Sequence, residues 1–245
     1  MCTVTYLPVD QESFILTSSR DEISGRGHTV FPVIQEAGGN SITFAQDPLR
    51  GGTWLACNEN GKVCCLLNGA FEKHRHAPPY RKSRGKVLLD TFKYIDFSDF
   101  SSDYLLDNIE PFTIICVEST PHLKLSEFRW DGQYRHFREL DSGKPKIWSS
   151  STLYSKEQRQ FRKLWFKDWF DQKTFTSNDA HMFHQLGGNH DPKNGILMKR
   201  DSGPETVSIS QIGTEGNGMS FRYSNLISGT DEKIIVTSNF LNYAG

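Results

Sequence analysis

Apolar and β-branched residues run in short stretches along most of the chain, broken at close intervals by Pro, Asp, Asn and Gly. This is the pattern of strands joined by tight turns. CTVTYL (2–7) and SFILTSS (13–19) are separated by a short link containing Pro8 and Asp10, which predicts a hairpin. Pairing Leu7 with Ser13 sets Cys2 near Ser18 and brings Arg20 and Asp21 out beside the start of the chain. TWLACNE (53–59) and KVCCLLN (62–68) flank Asn60-Gly61, a dipeptide suited to a two-residue type I′ turn. Pairing outward from Glu59 and Lys62 places Cys57 opposite Cys64, and Thr53 opposite Asn68. Further strands are predicted over 111–118, over 125–140 folded about Asp131-Gly132, and over 195–200, 206–212, 219–227 and 233–239.

The period changes in between. Val87, Leu88, Thr91 and Phe92 share one face of a helix predicted over 83–95, and a second short helix is predicted over 99–108. Ser155-Lys-Glu-Gln has the form of a capping box, and Phe161, Leu164, Trp165 and Trp169 follow as an apolar stripe expected to anchor a long helix to the core. Another helix, at about 178–186, should stop at Gly187-Gly188. Hairpin-connected strands with helices grouped between them predict an α/β (α+β) layered fold in one domain, 1–245. Two antiparallel sheets stack, and helices cover their outer faces.

Composition narrows the function. The chain has 36% hydrophobic residues, 23% charged residues and 17 Phe, values of a folded globular protein. Its net charge of -1 gives no electrostatic footprint for nucleic acid or an anionic membrane. The basic run at 74–84, HRHAPPYRKSR, is read as solvated loop and helix-end charge. No stretch approaches the ~20 apolar residues of a membrane span, and the first residues lack the features of a signal peptide, so a cytoplasmic protein is expected. The five cysteines lack the spacing of a zinc site or a disulfide framework, and Cys57 and Cys64 are read as reduced buried thiols. His74 with His76 and His181 with His184 lack an acidic or thiol partner at a diagnostic spacing. They are read as loop or helix-surface residues, and no metal or cofactor is expected.

One position carries chemistry. Removing Met1 would make Cys2 N-terminal, with a thiol and an α-amine whose reference pKa values are about 8.5 and 7.7–8.0. The amine can then act as base for its own side chain. In the expected hairpin, Arg20 favours the thiolate and can hold a substrate oxygen, while Asp21 orients the protonated amine. Asn68, at the end of the second hairpin and before Gly69, can donate to a tetrahedral oxyanion.

Met-Cys at the start, Ser-Arg-Asp-Glu (19–22), Gly-Gly-Thr-Trp-Leu (51–55), Leu-Leu-Asn (66–68) and Ser-Arg-Gly (83–85) together resemble the NRDE family. That family is also called the transport-and-Golgi-organization family and is related to the N-terminal-nucleophile hydrolases. Ser149-Ser-Ser-Thr-Leu153 is a further similarity, with Ser150 where relatives carry Asn. Ser19 likewise stands where the name-giving motif has Asn, and no arginine lies near Thr206 to match a late basic residue of the amidase relatives.

The resemblance implies a four-layer αββα sandwich and hydrolysis of a non-peptide C–N bond in a small-molecule amide through a thioester. Cys2 would be the nucleophile, Arg20 and Asp21 its environment and Asn68 an oxyanion donor; Ser150 occupies a position that serves the oxyanion or the substrate. It also implies a rival, a non-catalytic binding or trafficking protein of Golgi organisation or haem handling, with haem held by Cys2 or a histidine.

Overall fold

The computed structural model describes residues 3–23, 29–171, 175–189, 191–200 and 203–237. Met1 and Cys2 lie outside the described residues. The strands are β1 (Thr3–Pro8), β2 (Phe14–Ile23), β3 (Val30–Ala37), β4 (Asn40–Gln46), β5 (Leu55–Asn58), β6 (Lys62–Asn68), β7 (Phe112–Glu118), β8 (Lys124–Trp130), β9 (Arg135–Leu140), β10 (Lys146–Ser149), β11 (Pro204–Glu215), β12 (Gly218–Asn225) and β13 (Thr230–Thr237). The helices are α1 (Arg84–Asp90), α2 (Phe97–Asp103), α3 (Lys156–Trp169) and α4 (Ser177–Leu186). One antiparallel sheet has the order β10-β1-β2-β11-β12-β13, the other β3-β4-β5-β6-β7-β8-β9. They stack as the middle layers of the expected αββα arrangement, with α3 and α4 against the first sheet and α1 and α2 against the second.

Alternation along β1 and β2 explains why both are buried on two faces. Val4, Tyr6, Phe14 and Leu16 point into the core between the sheets, while Leu7 and Ile15 pack with Phe166, Phe170 and Phe183 of the helical layer. Between those apolar ends the helix-facing positions are hydroxylic, and each finds a partner. Arg162 on α3 donates to Thr3 Oγ1. His184 on α4 bridges Thr5 Oγ1 at 2.9 Å and Ser19 Oγ at 2.6 Å, and Gln211 on β11 donates to Thr17 Oγ1 at 2.9 Å.

Both hairpins depart from the predicted register. Thr3 pairs with Ser19 and Leu7 with Ile15, two residues away from the expected Leu7–Ser13 pairing, because the turn sits one residue further along the chain, between Pro8 and Phe14, with the Val9 and Asp10 amides donating to the Ser13 carbonyl. A shift of two keeps each side chain on its expected face. In the second hairpin Cys57 pairs with Val63 and Ala56 with Cys64, so Cys57 is not opposite Cys64. Asn58 accepts from the Asn60 and Lys62 amides, and Gly61 takes φ +79°. The loop therefore holds three residues ending in a left-handed glycine, and the extra residue shifts the register by one. Cys64 instead faces Cys116 on β7. Thr53 precedes β5 and has no strand partner at Asn68.

The helices fall close to expectation, and Ser155 and Gln158 form the capping box of α3. Its buried stripe is different. Phe161 and Leu164 are exposed, Trp165 and Trp169 are half-buried, and the fully covered positions are Arg162, Phe166 and the following Phe170. A stripe centred on an arginine escapes a search for apolar periodicity. Segment 195–200 forms no strand beyond a single bridge from Lys199 to Glu205, and no element was expected for β3, β4 or β10. No described helix is long and apolar enough to cross a membrane.

The histidines of α4 are not surface residues. His181 is buried and His184 is completely enclosed. Burial, with the nearby charge of His181 and Arg162, pushes the His184 pKa down to about 3. A histidine held neutral in the folded state leaves the unfolded state binding the extra proton below its ordinary value of about 6.5. The stability it protects is fully present above that pH and is lost as the pH falls toward 3. Urea unfolding at pH 5 is expected to give about 2 kcal/mol less stability from this group than at pH 7. His184→Asn should lose that part of the pH slope. Arg162→Leu leaves Thr3 Oγ1 and the Gly195 and Asn194 carbonyls without their donor, and urea titration at pH 7 should show a loss of about 2–4 kcal/mol.

Candidate functional site

Arg20 and Asp21 on one motif segment and Asn68 on another, far apart in the sequence, line one cavity of about 830 Å³. It opens where β2 and β6 end and β5 begins, beside the segments carrying Asp47, Arg84 and Thr152. Its described wall is electrically balanced, with four cations and four carboxylates.

Arg20 is almost fully buried and firmly held. Its Nη2 lies 2.6 Å from Asp47 and 3.4 Å from Glu22, and its guanidinium stacks on Trp54 at 4.4 Å. Asp47 is fixed in turn by the Leu49 and Arg50 amides donating to its Oδ1. Asp21 points to the other face of β2. It accepts from the Tyr154 hydroxyl, and from Thr206 Oγ1 at 2.7 Å. The β11 register shifts between Thr206 and Ser208, and this irregularity sets Thr206 directly across from Asp21. Arg162 lies over the Tyr154 ring at 3.6 Å. A buried cation and a buried carboxylate are thus linked through one phenol.

Asn68 ends β6 with no hydrogen-bond partner for its carboxamide among the described residues. Its backbone carbonyl accepts from Ser150 Oγ at 2.9 Å, and Ser150 also bonds Thr152 Oγ1 at 3.0 Å. Gly69 takes φ +79°, and a Cβ there would lie 2.5 Å from Ser151 Oγ. Only glycine lets the chain cross so close to segment 150–152. Close approach also explains two of the quoted motifs: a Cβ on Gly52 would lie 2.8 Å from the Gly85 backbone, which locks the Gly-Gly-Thr-Trp-Leu turn against the start of α1.

A third group borders the cavity. Glu110 receives His74 Nε2 at 3.0 Å, His76 Nδ1 at 3.2 Å and Arg84 Nη2 at 3.2 Å. Burial alone would raise the Glu110 carboxyl, but the Arg84 charge and the two histidines outweigh it and hold it below the usual range. The histidines at 74 and 76 therefore do have an acidic partner, brought from 34 residues or more away by the fold. Among the described residues no cluster of three or more His, Cys, Asp or Glu is arranged to hold a metal ion.

The described cysteines are free and buried. Burial raises the Cys57 thiol far above its ordinary value and pushes Cys65 up to about 12, so both stay protonated and unreactive. Sequence reasoning missed Asp47, Tyr154, Arg162 and Thr206. Asp47-Pro48 was a readable turn signal, but nothing local marked the other three, which reach Thr3 and Asp21 from α3, its leading loop and β11.

The fold resembles solved hydrolases. A cysteine-to-alanine variant of conjugated bile acid hydrolase from Clostridium perfringens aligns with a TM-score of 0.56 and 11% identity, covering 96% of this chain and 92% of that one. An arginine-to-leucine variant of the same hydrolase gives a TM-score of 0.53 with the same identity and coverage. Penicillin V acylase from Agrobacterium tumefaciens gives 0.52 and 11%, covering 96% of this chain and 86% of that one. At this identity the likeness is one of fold, the N-terminal-nucleophile hydrolase arrangement. A search of curated protein sequences found no significant match. The family model described as Transport and Golgi organisation 2 matches residues 1–202. On that match, which takes in every motif segment from Met-Cys to Ser149–Leu153, the chain belongs to the Transport and Golgi organisation 2 family.

Proposed function

We propose that this chain is a cytoplasmic N-terminal-nucleophile hydrolase that cleaves the amide bond of a small molecule, with Cys2 as the nucleophile. The observation that carries the reading is the meeting of Arg20, Asp21 and Asn68 at one cavity large enough for a small-molecule substrate. The β1 register supports it, because Thr3 pairs with Ser19 on one side and Ser149 on the other, next to the Arg20 and Ser150 positions of the motif segments. The likeness to a bile acid hydrolase and a penicillin acylase fits the same reaction class. The free thiols among the described cysteines fit a reducing compartment.

In the proposed reaction Met1 is removed, and the freed α-amine takes the Cys2 thiol proton as sulfur attacks the amide carbonyl. A C–S bond forms and the carbonyl π-electrons move to oxygen, where the unpartnered Asn68 carboxamide donates. The C–N bond then breaks, the leaving amine takes the proton from the α-ammonium, and a thioester remains. Water attacks with the α-amine again as base, the C–S bond breaks, and the acid leaves. Arg20, held by Asp47, Glu22 and Trp54, serves as a fixed positive wall. Asp21, with Tyr154 and Thr206, supplies the negative charge that steadies the α-ammonium. Ser150 acts one step back, holding the Asn68 backbone through its carbonyl.

Hydrolysis of a panel of N-acyl amides by the Met1-processed protein tests this. Cys2→Ala should abolish turnover, and Asn68→Ala should lower kcat by about 10²–10³ with the fold intact. Intact mass after quenching should show an acyl adduct on the wild-type chain alone. Turnover that survives Cys2→Ala would overturn the assignment.

A further inference from the structure

A second cavity, of about 510 Å³, shares a wall with the first at the Asn68–Ser150 contact. Its charge is very different. Among its described lining residues Arg129, Arg138, Lys156, Arg159 and Lys163 are cationic, and Glu127 is the one carboxylate.

Glu127 organises this wall. It is buried at 2% exposure, and it accepts Arg129 Nη2 at 2.7 Å, Arg138 Nη2 at 2.5 Å and Trp148 Nε1 at 2.8 Å. Burial alone would raise its carboxyl, but the hydrogen bonds and charges of the two arginines outweigh it and hold it below the usual range, so it stays ionised. Arg129 is also tied to the Ala70 carbonyl at 2.6 Å and lies over the Phe71 ring at 4.9 Å. Arg159 donates to the Phe71 carbonyl at 3.2 Å. Three guanidinium groups are therefore set in place before any ligand arrives, the condition under which binding loses least to side-chain ordering. Lys163 extends from the same helix as Arg159, one turn further along.

Glu127 offsets one charge of the arginine pair and Glu72, beside the cavity, lies 3.1 Å from Lys156, which still leaves an excess of positive charge on the wall, with Arg159 and Lys163 not paired to either carboxylate. Leu67, Phe71 and Trp148 add apolar surface to the same cavity. We propose that this cavity binds a small molecule carrying a phosphate group on an apolar body. A phosphate brings about −1.5 to −2 charges and three strong acceptor oxygens, which suits several fixed donors better than a single carboxylate does. The 510 Å³ volume is within the range of small-molecule sites. The site stands apart from the proposed hydrolysis and requires no turnover.

Isothermal titration of the full chain with inorganic pyrophosphate, with succinate as the carboxylate comparison, tests the site. Saturable one-site binding of pyrophosphate is expected, weakening as salt is raised. Lys163→Glu, on the exposed face of α3, should weaken it by about tenfold or more, and Lys233→Glu, on the far edge of the first sheet, should leave it within about twofold. Arg138→Gln provides a second variant that subtracts one cation without adding an acid, and it should also weaken binding. Absence of saturable binding, equal losses in the Lys163 and Lys233 variants, or succinate binding as tight as pyrophosphate would each overturn the proposal. The same titration on Cys2→Ala should be unchanged, which keeps this result separate from the fate of the hydrolase reading.

Discussion

The structure depends on satisfying a polar seam between the first sheet and the helices above it. Thr3, Thr5, Thr17 and Ser19 put hydroxyls where a sandwich would ordinarily place apolar side chains, and every one is buried. A buried hydroxyl without a partner costs about 1–3 kcal/mol. Arg162, His184 and Gln211 prevent that cost, and in doing so they dictate how α3, α4 and β11 sit on the two strands. Apolar packing at Phe166, Phe170 and Phe183 holds the helices down. The hydrogen bonds choose their position along the strands.

The same seam continues into the candidate site. Asp21 is the next helix-facing position after Ser19 on β2, and its partners Tyr154 and Thr206 prolong the row of satisfied polar groups. Arg162 donates to Thr3 and lies over the Tyr154 ring, whose hydroxyl donates to Asp21, so β1 and the Asp21 carboxylate are connected through one buried cation and one phenol. Arg20, one residue earlier, faces the other way into Asp47 and Trp54. The alternation of a single strand divides the two charges of Arg-Asp between two layers, and each is fixed by its own set of contacts.

The two cavities differ in what their charges are for. The larger one has its cations matched by carboxylates, an arrangement that holds groups in orientation without a strong net field. The smaller one has two arginines braced by Glu127 and Lys156 paired with Glu72, and still carries more cations than carboxylates. Ser150 and Asn68 lie between them, and the glycine at 69 is what allows the two segments to touch. A change at this crossing would be felt on both sides.

Local sequence determined much of this. The alternation of β1 and β2, the capping box of α3, the end of α4 at Gly187 and the strands on either side of Asp131-Gly132 could all be read from turn chemistry and period. So could the candidacy of Arg20, Asp21 and Asn68, because turns return them toward one end of the sheets. What local sequence could not carry was register at the second hairpin, where a left-handed Gly61 adds a loop residue and moves Cys57 away from Cys64. Nor could it identify a buried arginine as the centre of the α3 stripe, or the burial of His184. Those assignments depend on partners more than a hundred residues away, Thr3, Thr5 and Ser19. Polar groups declare themselves as core residues only when the groups that satisfy them have been brought into contact, and tertiary structure alone does that.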